Sequence, residues 1–145
     1  MSDFSALAVG LDTNVLARYY VADVTDDATQ RQRQAARQLI ESGSALAISK
    51  TVILELEWVL RGYYGFDREN VGRVFAHLLT FLTLDIEDRT AVERAVAMHA
   101  KGLDFADALH HASYAGCEYV ASFDDRGFAR RARSLNLSPP IRIPR

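Results

Sequence analysis

The chain has one cysteine, Cys117, among its 145 residues. A lone thiol cannot close an internal disulfide and suits a reducing compartment, so a cytoplasmic location is expected. No uninterrupted apolar run approaches the roughly 20 residues that span a bilayer, and no membrane role is expected. The start, MSDFSALAVGLD, carries an acid where a signal peptide needs basic residues, so no export signal is expected either. A basic excess is missing too: Lys+Arg 17 stand against Asp+Glu 19, for a formal net charge of −2. Bulk charge therefore cannot drive nucleic-acid binding, and any such binding needs a local patch. Nucleotide-binding loops of the G-x-x-x-x-G-K-[ST] or G-x-G-x-x-G type, Cys/His spacings for zinc and a nucleophile elbow are also missing.

What the chain has is material for a core. Hydrophobic residues make up 49% and aromatics 10%. That excludes a disordered chain and suffices for a single domain over 1–145 without disulfides or a structural metal. Short apolar segments alternate with longer helical patterns. Strands are predicted at Ala8 to Leu11 (buried), Ala45 to Ile48, Thr83 to Ile86 and Tyr119 to Ala121, with a proline-fenced edge strand at Ile141 to Ile143. Asp12-Thr13-Asn14 caps a helix through about Tyr20, and Asp23 to Thr29 reads as a loop or cap. Further helices are predicted at Gln30 to Glu41, Thr51 to Arg61, Asp67 to about Phe81, Asp88 to Lys101, Asp104 to about Ala115 and Phe128 to Ser134. This alternation predicts an α/β fold, a parallel sheet with right-handed crossovers and helices on both faces.

Several acids stand out. Asp12 follows AVGL and Asp124 follows YVASF, both just past strand carboxyl ends, where open α/β sheets bind ligands. Asp there is also an ordinary turn and cap residue. Glu55 lies in TVILELEWVL, a helix apolar nearly all round and so predicted to be largely buried. Its helical neighbours Thr51, Val52, Trp58 and Val59 include no cation. A buried carboxylate in that position is either protonated and hydrogen-bonded or a metal ligand, and the second reading is preferred. Glu57 has Arg61 four residues on and reads as a structural ion pair. In DFADALHHA, Asp104 reads mainly as the helix cap, while Asp107, one turn in, has only His110 and His111 as local partners. Four carboxylates brought together survive only with bound cations or raised pKa values. All-oxygen ligation selects Mg²⁺ or Mn²⁺ over zinc. The histidines compete poorly: His110 and His111 point to different faces, and His77 and His99 read as surface or packing residues.

Fifteen of the basic residues are Arg, and six of these (126, 130, 131, 133, 142 and 145) fall in the last twenty positions. They read either as a solvated helix and tail or as a phosphate-contacting edge, for which the planar guanidinium is suited. Tyr19, Tyr20, Trp58, Tyr63, Tyr64 and Phe66 cluster around the first and third helices, as core or as an interface.

LDTNVLARYY, the Glu within VILELEWVLR, DFADALHHA and ASFDDRGF come in one order over nearly the whole chain. In these pieces the sequence resembles a PIN-domain ribonuclease, more narrowly a VapC-type toxin of a type II toxin–antitoxin pair. The resemblance implies a PIN-like three-layer α/β/α fold with a central parallel sheet of four to five strands. It implies that Asp12, Glu55, Asp107 and Asp124 form an acidic quartet binding Mg²⁺ or Mn²⁺, as one or two ions, with Thr13, Asn14 and Ser122 in support. Asp104 matches an extra acid of many relatives, and of the pair Asp124-Asp125 the first is favoured. The implied activity is metal-dependent endoribonuclease hydrolysis of RNA, single-stranded or looped because cleavage needs an accessible backbone, and by a separate hypothesis Arg126, Arg130 and Arg131 hold flanking phosphates. The implied partners are a VapB-type antitoxin and a second copy of the chain. The alternative is a non-catalytic RNA- or protein-binding PIN module. A small-molecule phosphohydrolase would want a second Asp where Asn14 stands, and a phospho-acceptor domain would want paired acids and a later strand-end Lys.

Overall fold

The computed structural model describes residues 4–22 and 26–145, and the chain divides into two compact units, Met1–Arg89 and Thr90–Arg145. In the first unit, β1 (Val9–Gly10), β2 (Leu46–Ile48) and β3 (Leu84–Ile86) form a parallel ladder in the order β1-β2-β3. Val9 lies opposite Leu46, and Leu46 opposite Leu84. The middle strand, Leu-Ala-Ile, is buried at every position, because a strand covered on both faces needs an unbroken apolar run. The prediction of a buried first strand does not hold for β1. Val9 is 45% exposed, and burial begins only at Leu11. β1 ends this ladder with a partner on one side, and its two residues keep the exposure of an edge.

Helices α1 (Thr13–Tyr20), α2 (Asp27–Ile40), α3 (Lys50–Trp58) and α4 (Arg68–Leu78) complete the unit. Asp12, Asp26, Ser49 and Asp67 cap them, each side chain accepting a backbone N–H that the first turn leaves unpaired. Helix α2 starts three residues ahead of the predicted Gln30 because Asp26 accepts the Thr29 N–H at 2.7 Å. Of the predicted loop, residues 23–25 lie outside the described residues. Helix α3 does not run on uniformly to Arg61 but widens into a π-helical turn over Val59–Tyr63. Leu16, Ile53, Leu56, Leu60, Phe75 and Leu78 form the centre of this unit's core.

The second unit contains α5 (Arg89–Ala100, which begins at the boundary), α6 (Phe105–Ser113), β4 (Val120–Ala121), a π-helical turn at Asp125–Ala129, α7 (Arg130–Ser134) and β5 (Ile141–Arg142). β4 and β5 pair in parallel, with Val120 opposite Ile141. Val92, Leu103, Phe105, Leu109, Ala129 and Ile141 are buried. All strand pairs in the described residues are parallel, as the α/β pattern predicts, and they are arranged as one sheet of three strands and one of two. No helix among the described residues is long and apolar enough to cross a membrane.

Candidate functional site

In the first unit the acids come from the end of β1 and from one stripe of α3. Asp12 is exposed at the head of α1, where its Oδ1 accepts the Thr13 N–H at 2.8 Å. Thr13 is itself buried, and its hydroxyl donates to the Glu55 carboxylate, tying α1 to α3. Glu55 is exposed, which corrects the prediction of a buried acid. Thr51, Glu55 and Trp58 share an exposed stripe at i, i+4 and i+7, while Ile53, Leu56, Glu57 and Leu60 turn inward. The apolar sequence hid that stripe because Trp58 fits core and interface alike by composition, and it is 60% exposed. The buried acid of this helix is Glu57, whose Oε2 takes the Arg61 Nε–H at 2.8 Å in the predicted ion pair. Asp12, Thr13, Asn14 and Glu55 line one cleft of about 380 Å³ together with Arg18, Trp58, Tyr63 and Tyr64.

In the second unit Asp104 caps α6, accepting the Asp107 N–H at 3.1 Å. Asp107 is partly buried, and its carboxyl is pushed above the ordinary range. Desolvation is the largest cause, followed by the negative charges of Asp104 and Asp124; His110 and Arg131 act in the opposite direction. Asp124 stands past the end of β4. Its two carboxylate oxygens accept the N–H groups of Gly127 at 2.9 Å and Phe128 at 3.3 Å, and the Ser122 Oγ accepts its own N–H at 3.1 Å. Asp125 instead pairs with Arg133 at 2.8 Å. Asp124, not its neighbour, thus adds charge to Asp107.

The histidines behave as packing and surface residues. His111 is buried, with Nε2 2.8 Å from the Pro139 carbonyl, against the Phe128 ring. His99 is buried against Phe105, His110 is exposed, and His77 meets the Tyr20 hydroxyl at 2.9 Å.

The structure therefore brings Asp12 to Glu55 within one cleft, and Asp107 within electrostatic reach of Asp104 and Asp124. Among the described residues, no three His, Cys, Asp or Glu side chains form a group that could hold a metal ion. The donor set still suits a hard divalent cation. It is all oxygen, and a bound cation would offset the burial and the neighbouring charges that disfavour the ionised Asp107 carboxyl.

A family model described as the PIN domain matches residues 9–134. This chain belongs to the PIN-domain family. The matched stretch holds Asp12, Glu55, Asp107 and Asp124 and runs through both compact units. PIN domains are generally nuclease modules with a three-layer α/β/α fold, and PIN nucleases generally use divalent metal ions. No curated protein and no solved structure matches the chain.

Three features of these regions escape a reading of the sequence. Gly127 is one: a Cβ there would lie 3.0 Å from both Asp124 carboxylate oxygens. Its only signal is a glycine three residues after a capping Asp. Arg18 is another, reaching the cleft from the last turn of α1. The third is which reading holds for Trp58 and Tyr63, left open between core and interface: both stand exposed on the cleft wall.

Proposed function

We propose that this PIN-domain protein is a Mg²⁺- or Mn²⁺-dependent endoribonuclease and the toxin of a type II toxin–antitoxin pair. The ligands would be Asp12, Glu55, Asp107 and Asp124, and residues 1–145 would form a single PIN domain. The observation that carries the reading is the cleft that holds Asp12 and Glu55 together, with Asp107 placed near the charges of Asp104 and Asp124. Family membership supports it, since PIN domains are generally nucleases. A divalent ion held by these residues supplies Lewis acidity toward the phosphodiester and toward water.

The chain's own groups do the positioning. Thr13 holds the Glu55 carboxylate through its hydroxyl, and the backbone amides of Gly127 and Phe128 fix Asp124. Asp104 steadies the first turn of α6 on which Asp107 sits. Arg126 and Arg130 are exposed and suited to flanking phosphates; Arg131 is tied to the Gly102 carbonyl at 2.6 Å. The substrate is RNA with an accessible backbone, single-stranded or looped. A VapB-type antitoxin and a second copy of the chain would use the apolar surface around α1 and α3 outside the Trp58 and Tyr63 rings, and the antitoxin would block the acids. A cytoplasmic location accords with the single cysteine.

One observation favours a second reading, a non-catalytic RNA- or protein-binding PIN module: no group of three candidate ligands that could hold a metal ion is formed among the described residues. An end-labelled single-stranded RNA incubated with the protein separates the two. Internal cleavage in Mg²⁺ or Mn²⁺, abolished by EDTA, is the expected result. Intact RNA in both metals, with binding retained, would leave the non-catalytic module.

A further inference from the structure

The cleft that holds Asp12 and Glu55 has a second wall, and that wall is aromatic. Trp58, Tyr63 and Tyr64 line it, with Trp58 60% and Tyr63 77% exposed. Their arrangement follows from the π-helical turn that ends α3. The Tyr64 N–H bonds to the Val59 carbonyl at 3.1 Å, five residues back, so the backbone needs five residues to close the turn. Gly62 lies against the Trp58 ring, where a Cβ would stand 3.7 Å from it. Tyr63, the next residue of the turn, lines the same cleft as Trp58. Such turns recur at functional sites.

The wall is propped from behind. Tyr63 packs edge-on against Tyr64, with ring centroids 4.8 Å apart. The Tyr64 hydroxyl accepts from Arg18 at 2.9 Å, and the Arg18 Nε donates to Gln32 at 2.8 Å. Both of these partners of Arg18 are neutral. The cleft thus joins two carboxylates, a guanidinium and exposed aromatic residues within about 380 Å³, inside the ~300–1,000 Å³ range of ligand clefts. An apolar helix seated there would desolvate Asp12 and Glu55 without pairing them. A nucleotide matches each part, with a flat base for the rings and a phosphate for the guanidinium.

We propose that Trp58 and Tyr63 form a stacking platform for one unpaired base of the substrate strand, beside the phosphate presented to Asp12 and Glu55, with Arg18 holding a neighbouring phosphate. This deepens the ribonuclease reading and rests on it. Aromatic stacking tolerates any base, so the platform selects unpaired over paired strands and not one sequence over another.

Trp58 is the sole tryptophan of the chain, so its fluorescence reports on this cleft alone. The wild-type protein is titrated in EDTA with a short single-stranded oligoribonucleotide and with an abasic oligomer of equal length. The base-bearing strand should quench Trp58 strongly and the abasic strand weakly. Tyr63→Ala should weaken binding about tenfold, the effect of losing one stacked base, and raise KM for cleavage more than it lowers kcat. Because Tyr63 is exposed, an unchanged far-UV circular dichroism spectrum checks that the variant folds. Equal quenching by the two strands, no quenching, or unchanged affinity and KM in Tyr63→Ala would overturn the platform. So would protection of Trp58 from acrylamide that rises with protein concentration alongside dimerisation, because a second copy would then cover the rings. The two readings fail separately. Base-dependent quenching with no cleavage in Mg²⁺ or Mn²⁺ removes the ribonuclease and keeps the platform; metal-dependent cleavage with unquenched Trp58 does the reverse.

Discussion

At the scale of single residues, Asp107 and Gly127 make the sharpest predictions. Folding raises the Asp107 pKa, chiefly by desolvation, so the folded state favours the protonated form. That contribution to stability is full below the ordinary carboxylate range and is lost as pH rises through the raised value. At neutral pH the ionised group is a burden that an uncharged isostere removes. Asp107→Asn should therefore raise the melting temperature in EDTA at neutral pH by about 1–4 °C, should lose that advantage in acid, and should lose RNA cleavage. Thermal unfolding at two pH values checks it, and a lowered melting temperature at neutral pH would contradict it. Gly127→Ala tests the support of Asp124. A methyl group 3.0 Å from both carboxylate oxygens must displace a side chain that two amides hold. Cleavage should fall about tenfold or more, since small misplacements of reacting groups cost up to about 10²-fold, while circular dichroism stays native. Wild-type kinetics in this variant would show that Asp124 need not sit where it does.

At the scale of elements, α3 shows what periodicity can and cannot tell. The Glu57–Arg61 pair is legible because i,i+4 spacing alone brings the two side chains together. The exposed stripe through Glu55 and Trp58 is not, because an aromatic residue at a cleft wall fits core and interface alike. The π-helical turn is equally hidden, since five-residue closure arises from packing and leaves no repeat in the sequence. The caps, by contrast, are local chemistry: Asp12, Asp67 and Asp104 head their helices as the sequence suggests. Arg61→Ala would leave the Glu57 carboxylate buried without the guanidinium that pairs with it. Because Arg61 is half exposed, the loss should be about 1–2 kcal/mol, below the ~3–5 kcal/mol of a fully buried pair. Urea unfolding measures it, and no loss would mean that the pair contributes nothing to α3.

At the scale of the whole molecule, the α/β class is legible because buried parallel strands such as Leu46–Ile48 must be apolar throughout while the helices between them follow a 3.6-residue period. Strand lengths were less so: β1 and β4 are two residues each, where four and three were predicted. Edge pairing ends where partners end, which the chain does not encode locally. Of the acids, Asp12 and Asp124 are legible from strand ends and Asp107 from a helix with few local cations, whereas the exposure of Glu55 was not. The formal charge of −2 leaves local chemistry, rather than bulk attraction, to recognise RNA. The most direct test of the central claim is the initial rate of single-stranded RNA cleavage against Mn²⁺ concentration for wild type and Asp12→Asn. The account predicts saturable, metal-dependent cleavage in wild type and a loss of about 100-fold or more in the variant, with the fold intact by circular dichroism. Equal rates in the two proteins, or cleavage indifferent to EDTA, would contradict it.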